Sequence, residues 1–299
     1  GKGGRRPYDY VMLFKILILQ RYYNLSDEQV EFQVNDRMSF MRFLGLTIAD
    51  DIPDSRTVWC FREQLTENKM IEPLFELFLA ELNRIGLIVN DGKIIDASFV
   101  EVPRQRNSRE ENGLLKEGVT PRAWMEKPRK LSQKDRDAKW TKKNGQRFFG
   151  YKNHVKIDKG SKMIKSYKVT DASVHDSQPL EDLLVEQDRG ETLHADSAYT
   201  GAAQEQAIET KGLENQVHEK GYRNRPLTEE QKARNAEKSR VRARVEHVFG
   251  FMENSMGGMA IRSMGMKRAT AIIGLSNLVY NMFRKIQLQA TSDGIAVTC

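Results

Sequence analysis

Apolar residues in the first third of the chain recur at helical spacing. Val11, Phe14 and Ile18 would share one face of an amphipathic helix. Ser26 begins a second helical pattern, because a short hydroxyl side chain caps free backbone N–H groups at a helix start. Similar patterns continue from there, so we predict a small helical N-terminal domain over residues 1–88. Such helices can read DNA as a helix-turn-helix or form a dimer face, and both roles stay open.

The pattern changes after residue 87 to short runs rich in β-branched residues. Helical segments separate the later runs, and this alternation predicts a mixed five-stranded sheet flanked by helices, an α/β fold. The element order is that of an RNase H-like fold, in which the first and fourth predicted strands lie side by side. The strands are predicted at residues 93–98, 148–158, 162–171, 191–196 and 214–218, with a long basic helix at about 228–252.

A polar stretch interrupts this domain, which we predict over residues 89–289. Residues 101–147 hold 14 Lys or Arg and 7 Asp or Glu, and this net charge of +7 equals that of the whole chain. We interpret the stretch as a basic insertion that contacts DNA, and the alternative is a solvated loop without function. Residues 290–299 are predicted to form a disordered tail.

Composition narrows the class of protein. A net charge of +7 and a pI of about 9.2 favour a polyanionic partner. Two cysteines form no disulfide framework or zinc motif, and no apolar run is long enough to cross a membrane. We therefore expect a cytoplasmic protein that works on the nucleoid. The first Met is Met12, so we expect the sequence to lack its natural start.

Three acids stand where they can carry phosphodiester chemistry. Asp96 and Asp196 each end a predicted strand, and strands that are neighbours bring such ends to one edge of the sheet. Carboxylates are the ligands that Mg²⁺ prefers, and two ions can activate a nucleophile and stabilise a leaving oxygen. Glu246, on the long basic helix, is the candidate third ligand. Taken singly, each acid also fits a structural role, such as a turn cap or, for Glu246, an i,i+4 partner of Arg242.

Several segments together resemble the transposases of IS5-type insertion sequences. The resemblance covers about residues 8–288, and its specificity comes from several short motifs in the expected order. The matching segments are residues 25–29, 36–40, 43–46, 53–55, 95–98, 150–154, 174–177, 195–199 and 242–250.

The resemblance implies an RNase H-like DDE domain with Asp96, Asp196 and Glu246 as its acidic triad. It implies two Mg²⁺ ions, for which Mn²⁺ can substitute, and a homodimer on DNA that binds terminal inverted repeats and target DNA. Arg242 matches the Arg of the Tyr-Arg-Glu-Lys signature of related enzymes. Ser239 and Glu253 stand at its Tyr and Lys positions, and these departures affect the expected contacts with the DNA end.

Other polar and aromatic residues complete the predicted site. Two histidines are expected to support the metal ligands, or else to pack structurally. The two tryptophans of the insertion could stack on an exposed base or form a local apolar cluster. The predicted DNA contacts are Arg242, Lys152, Tyr151, Arg240, Arg244, Trp124 and Trp140, and the predicted supporting histidines are His247 and His175.

The expected activity is hydrolysis at the element end, which frees a 3′-hydroxyl, followed by attack of that hydroxyl on target DNA. Both steps are displacements at phosphorus, so one site can serve both. The residues alone leave two alternative functions open. A metal-dependent nuclease would share the acids without joining DNA, and an inactive or domesticated relative would bind DNA without cutting it.

Overall fold

Five helices form the N-terminal part of the protein, as predicted. The computed structural model describes residues 7–143 and 145–292. Side chains cap three of the helix starts: Asp9 accepts from the N–H of Val11, Ser26 forms a capping box with Gln29, and Asp54 accepts from Thr57. The helices are α1 (Tyr10–Tyr22), α2 (Asp27–Asp36), α3 (Met38–Leu44), α4 (Ser55–Glu67) and α5 (Ile71–Arg84).

These helices share their hydrophobic core with the rest of the chain. One cluster of buried side chains joins α1, α4 and α5 to the sheet and to the last helix, α12 (Met266–Ser292). The rings of Tyr22 on α1 and Phe283 on α12 stack with their centroids 3.9 Å apart. The N-terminal helices are therefore packed onto the sheet domain through α12. Because α12 extends to Ser292, residues 290–292 are helical and not part of a disordered tail; residues 293–299 lie outside the described residues.

The sheet contains the five predicted strands and one that was not predicted. Its path runs β2-β3-β1-β5-β6, and β4 also pairs with β3. Strand β1 pairs antiparallel with β3 and parallel with β5. The strands are β1 (Lys93–Glu101), β2 (Lys139–Lys143), β3 (Gln146–Asp158), β4 (Ile164–Asp171), β5 (Thr192–His194) and β6 (Glu214–Asn215).

The additional strand, β2, lies in the basic insertion, so the predicted five-stranded sheet has six strands. Gly150 on β3 pairs with Glu101 of β1 and with Lys139 of β2, so β1 and β2 lie on opposite edges of β3. Strand β2 therefore lies on the same side of β3 as β4, and the two strands pair with successive parts of β3. A Cβ atom at Gly150 would lie 2.2 Å from the carbonyl oxygen of Val100, which explains a glycine at this crossing.

The rest of the insertion folds around a buried tryptophan. Trp124 is fully buried, and its indole Nε1 donates to Glu111 at 2.6 Å. Lys130 also bonds Glu111, and Leu115 is buried in the same insertion. A single large side chain thus supplies the apolar centre that the polar composition of the stretch did not suggest. Three short helices surround it: α6 (Arg109–Lys116), α7 (Arg122–Met125) and α8 (Pro128–Leu131).

Helix α11 (Glu229–Asn254) crosses the sheet and is the predicted long basic helix. It begins at a capping box between Thr228 and Gln231. Val245, Val248 and Met252 form its buried side, and the helix contacts β1 and β5. The remaining helices are α9 (Leu180–Leu183) and α10 (Ala202–Thr210). Within the described part of the chain, no helix has the length and apolar character needed to cross a membrane.

Candidate active site

Asp96 and Asp196 lie where two neighbouring parallel strands bring them. Lys93 pairs with Leu193 and Ile94 with His194, so β1 and β5 run side by side toward the two aspartates. Asp96 does not end its strand as predicted, because pairing with β3 continues β1 to Glu101. Asp196 follows β5 and caps a short 3₁₀ turn, with its Oδ1 accepting from the N–H of Ala198 at 2.8 Å. The two carboxylates are close enough for the charge of Asp196 to raise the pKa of Asp96.

The carboxyl group of Asp96 is largely removed from solvent. Its side chain is only 14% exposed, and burial raises its pKa to about 6. The N–H of Ala97 and the guanidinium of Arg242 act in the opposite direction and favour the charged form. A carboxylate that is buried to this extent requires a cation beside it.

Arg242 joins the first and third acids of the predicted triad. Its Nη1 donates to Oδ2 of Asp96 at 2.7 Å, and its Nη2 donates to Oε1 of Glu246 at 3.2 Å. Both side chains project from α11, one helical turn apart, and Val245 anchors this part of the helix in the core. Glu246 is 62% exposed, so its carboxylate extends toward solvent from the edge of the sheet.

The donor atoms at this edge suit a hard divalent cation. Within residues 7–143 and 145–292, no three acidic, histidine or cysteine side chains are gathered closely enough to hold a metal ion. At the predicted triad, Arg242 bonds both Asp96 and Glu246. All the carboxylate oxygens are of the type that Mg²⁺ prefers. Asp196 uses only Oδ1 in its turn, and Asp96 is buried with a raised pKa. These groups therefore fit a divalent metal ion in chemistry and in charge.

A buried tyrosine next to the acids was missed as a site residue. Tyr199 is almost fully buried, and its hydroxyl has no hydrogen-bond partner within the described residues. Burial and the nearby charges of Asp96, Asp176 and Asp196 raise its pKa well above the usual value. The motif at residues 195–199 entered the sequence analysis only as the position of Asp196. Tyr199, the last residue of the same motif, was the signal that could have identified this further site residue.

His218 also lies near the acids, and no motif in the sequence marked it. Its Nε2 is 3.3 Å from the hydroxyl of Ser239 on α11. Burial lowers its pKa, and the positive charge of Arg242 acts in the same direction, whereas Asp196 opposes them. The histidine is therefore a neutral neighbour of the two acids.

Lys152 is buried beside the site and holds a carboxylate there. Its Nζ donates to Oδ1 of Asp176 at 2.7 Å and to the carbonyl oxygen of Val174 at 2.6 Å. Burial alone would raise the pKa of Asp176, but the bond and charge of Lys152 outweigh it and lower that pKa. Lys152 was predicted to contact DNA, and its burial and two bonds assign it a structural role instead.

Two of the three predicted aromatic contacts with DNA are also corrected. Tyr151 is fully buried, and its hydroxyl donates to Asp135 at 2.8 and 2.9 Å. Trp124 is fully buried inside the insertion. Trp140 packs against the main hydrophobic core and lies 5.0 Å from the ring of Phe149. The rings of Tyr151 and Trp124 are therefore used for packing, and Trp124 fits the alternative of a local apolar cluster. Trp140 is half-buried, so its contact with DNA stays a prediction.

The two predicted supporting histidines do not contact the acids. His175 is exposed, and its Nδ1 is 2.9 Å from the hydroxyl of Ser177. His247 is exposed on α11, and no hydrogen bond recorded for the described residues involves its ring. The predicted DNA contacts of two arginines on α11 stay predictions. Arg240 is exposed, and Arg244 is exposed with its Nη1 donating to the carbonyl oxygen of Lys159.

Comparisons with known proteins agree with this geometry. Residues 89–282 match a family model described as "Transposase DDE domain", and residues 2–64 match one described as "Transposase domain (DUF772)". The fold is similar to that of the piggyBac transposase in a cryo-EM synaptic complex with hairpin DNA. The TM-score is 0.50 at 13% identity, over 99% of this chain and 70% of that one. This likeness confirms the predicted RNase H-like fold. A crystal structure of the Mos1 strand transfer complex matches with a TM-score of 0.31 at 13% identity, over 100% of this chain and 82% of that one.

Proposed function

Because the chain belongs to the family of transposases with a DDE domain, we propose that Asp96, Asp196 and Glu246 are the acids of its active site. With them it cuts DNA at the ends of an insertion sequence and joins the freed strand to target DNA. The observation that carries this assignment is the geometry at one edge of the sheet. Asp96 lies on β1 just beyond its parallel pairing with β5, Asp196 follows β5, and Arg242 links Asp96 to a glutamate on the helix that crosses these strands.

We propose Mg²⁺ as the metal, in two ions, with Mn²⁺ able to replace it. When bound, the ions would activate the attacking water or 3′-hydroxyl and offset negative charge at the phosphorus. Asp96 on β1 and Asp196 directly after β5 would hold them with their carboxylate oxygens. Glu246 would complete the set from α11, and its exposure leaves the side chain room to turn.

The surrounding residues prepare this edge for the reaction. Burial of Asp96 raises its pKa, whereas the N–H of Ala97 and the charge of Arg242 favour the ionised form. In this partly buried position the attraction of the carboxylate for a cation is stronger than it would be in water. Arg242 neutralises Asp96 and fixes Glu246 before DNA arrives. Its planar guanidinium is suited to move to a phosphate oxygen once another cation takes its place beside Asp96. Lys152 keeps Asp176 charged without exposing either group.

DNA is the proposed substrate and partner. The piggyBac transposase, which has a similar fold, forms a synaptic complex with hairpin DNA, and this chain has a net charge of +7. Exposed Arg240 and Arg244 on α11 are the proposed contacts with the phosphate backbone near the acids. Transposition acts on two DNA ends together, so we propose a homodimer on DNA, at work in the cytoplasm where the chromosome lies.

A cleavage and joining assay tests the proposal. Labelled duplexes would carry the inverted repeats that flank the native gene, with Mg²⁺ or Mn²⁺. We expect Asp96→Asn, Asp196→Asn and Glu246→Gln each to abolish cleavage and leave DNA affinity largely intact, because each removes a metal ligand and not a DNA contact. Glu237→Gln is the matched control, since Glu237 is an exposed acid on the same helix and has no predicted role.

The outcomes separate three functions. Cleavage at the repeat end followed by joining is the transposase result. Cleavage without joining would instead identify a nuclease, and tight binding without cleavage an inactive relative. Full activity in any one of the three variants would remove that residue from the site.

A further inference from the structure

A second polar cleft lies away from the acids, between the N-terminal helices and the segment that precedes α12. Its volume is about 400 Å³, and none of the three acids lines it. Its walls come from α1, α2, α4, the segment at residues 260–264 and the start of α12. The residues that matter for its chemistry are Arg21, Asp27, Trp59, Arg62, Arg262 and Arg268.

Arg21 is the unusual member of this group. It is 7% exposed, its Nε donates to the hydroxyl of Ser276 at 3.0 Å, and its Nη2 is buried with no partner. It forms no ion pair within residues 7–143 and 145–292. Burial, together with the charges of Arg62 and Arg262, lowers its pKa to about 10, so it remains a cation at neutral pH. A buried cation without a counter-ion destabilises a fold, so its presence here indicates a function other than stability.

The acids around the cleft are engaged by other groups. Asp27 accepts from both terminal nitrogens of Arg62 and from the amide of Gln20. Glu63 accepts from Arg268 in the same way. These bonds leave the positive charge of Arg21 uncompensated.

Two further lining residues are available to a ligand. Arg262 is exposed, in the segment between α11 and α12. Trp59 on α4 is 44% exposed, so its ring presents an aromatic face at the cleft. The only other acid of the lining, Glu28, accepts from the hydroxyl of Ser26 at 3.0 Å.

We infer that this cleft binds a phosphate group of the DNA backbone between Arg21 and Arg262, with a neighbouring base or sugar against Trp59. The inference rests on the proposed function, because it makes the N-terminal helices part of the DNA-binding surface. A guanidinium donates two parallel bonds to phosphate oxygens, and aromatic rings stack on any base. The net charge of +7 favours a nucleic acid over an acidic protein segment as the source of the anion.

The test compares Arg21→Met with Arg56→Met. Arg56 is exposed on α4 and does not line the cleft, so the control removes the same charge from the same part of the fold. DNA binding would be measured by fluorescence anisotropy on a labelled duplex without divalent metal, at several salt concentrations. We expect Arg21→Met to weaken binding at least about tenfold, the loss of one charge-assisted contact. The salt slope should fall by about 0.9, the value for one phosphate contact.

Thermal unfolding distinguishes an anion-binding role of Arg21 from a merely structural one. Replacing an uncompensated buried cation with an apolar side chain of similar length should leave the melting temperature unchanged or higher. Inorganic phosphate, compared with chloride at equal ionic strength, should raise the melting temperature of the wild type but not of Arg21→Met. If Arg21→Met fails to fold, Arg262→Met replaces it, because Arg262 is exposed.

Each outcome decides a separate question. A lower melting temperature with unchanged DNA affinity would overturn the inference and make Arg21 structural. Protection by phosphate that depends on Arg21, without an effect on DNA affinity, would overturn DNA as the source and assign the cleft to a free phosphate-bearing ligand. If the wild type binds no DNA, the proposed function fails, and the phosphate arm still decides whether the cleft is an anion site.

Discussion

The substitution Tyr151→Phe tests whether the hydroxyl of Tyr151 has a structural role or contacts DNA. The hydroxyl of Tyr151 donates to both oxygens of Asp135, at 2.9 and 2.8 Å. Asp135 also accepts from the backbone N–H groups of Asp137, Ala138 and Gly265. This buried carboxylate therefore ties the basic insertion to β3 and to the segment before α12. Phenylalanine keeps the ring and removes only the bond.

The expected loss of stability depends on the acceptor of this hydrogen bond, the carboxylate of Asp135. A hydrogen bond to a charged group contributes about 1.5–3 kcal/mol, and a deletion leaves part of that charge without a donor. Asp135 keeps three backbone donors, so we expect the free energy of unfolding to fall by about 2 kcal/mol, in the lower half of that range. In a chain of this size, this corresponds to a melting temperature lower by roughly 4 °C.

Urea unfolding of the wild type, Tyr151→Phe and Tyr222→Phe measures the effect. Tyr222 is exposed, so its hydroxyl can be removed without disturbing the core and serves as the control. DNA affinity should be the same for all three proteins. The reasoning is refuted if Tyr151→Phe is as stable as the wild type and binds DNA more weakly, since the hydroxyl would then face the DNA.

Two further substitutions test the buried groups beside the acids. Lys152→Met removes the nearer of the two lysines that pair with Asp176 and leaves Lys143 at 3.5 Å. The unfolding free energy should therefore fall by about 3 kcal/mol, the low end of the range for a broken buried pair, and weaker DNA binding at unchanged stability would contradict this. Burial lowers the pKa of His154 to about 4. The unfolded chain therefore binds a proton below about pH 6.5 that the folded protein does not bind until about pH 4, and stability falls as the pH drops between these values. Between pH 7.5 and pH 5, this histidine should lower the free energy of unfolding by about 2 kcal/mol. Urea unfolding at the two pH values should therefore show a smaller loss of stability for His154→Gln than for the wild type. An equal loss in both proteins would exclude the effect.

The order and type of the elements could be predicted because they depend on local pattern. The strands near Asp96 and Asp196 are short β-branched runs, and α11 begins at a capping box readable at Thr228. The membership in a DDE transposase family predicted from the motifs is confirmed, whereas the IS5 type stays a prediction. The division into domains and the role of each acid also stay predictions.

The environment of individual side chains was harder to predict, because burial is set by distant parts of the chain. Lys152 is a surface type of residue, but Asp176 on another segment makes its burial tolerable. Trp124 is buried by the insertion itself, although its sequence has few other apolar residues. Tyr199 gave a signal within a recognised motif, and its position between three carboxylates depends on the pairing of β1 with β5.

The packing of the first helix against the last has a consequence for the timing of synthesis. Arg21 bonds Ser276, and Tyr22 stacks on Phe283, across more than 250 residues of chain. While the ribosome is still making the segments between them, α1 has no partner for this face. The core closes only after α12 has left the exit tunnel. Helix α11, with Arg242 and Glu246, emerges shortly before α12, so the edge of the sheet that carries the acids and the core that joins α1 to α12 are completed in close succession.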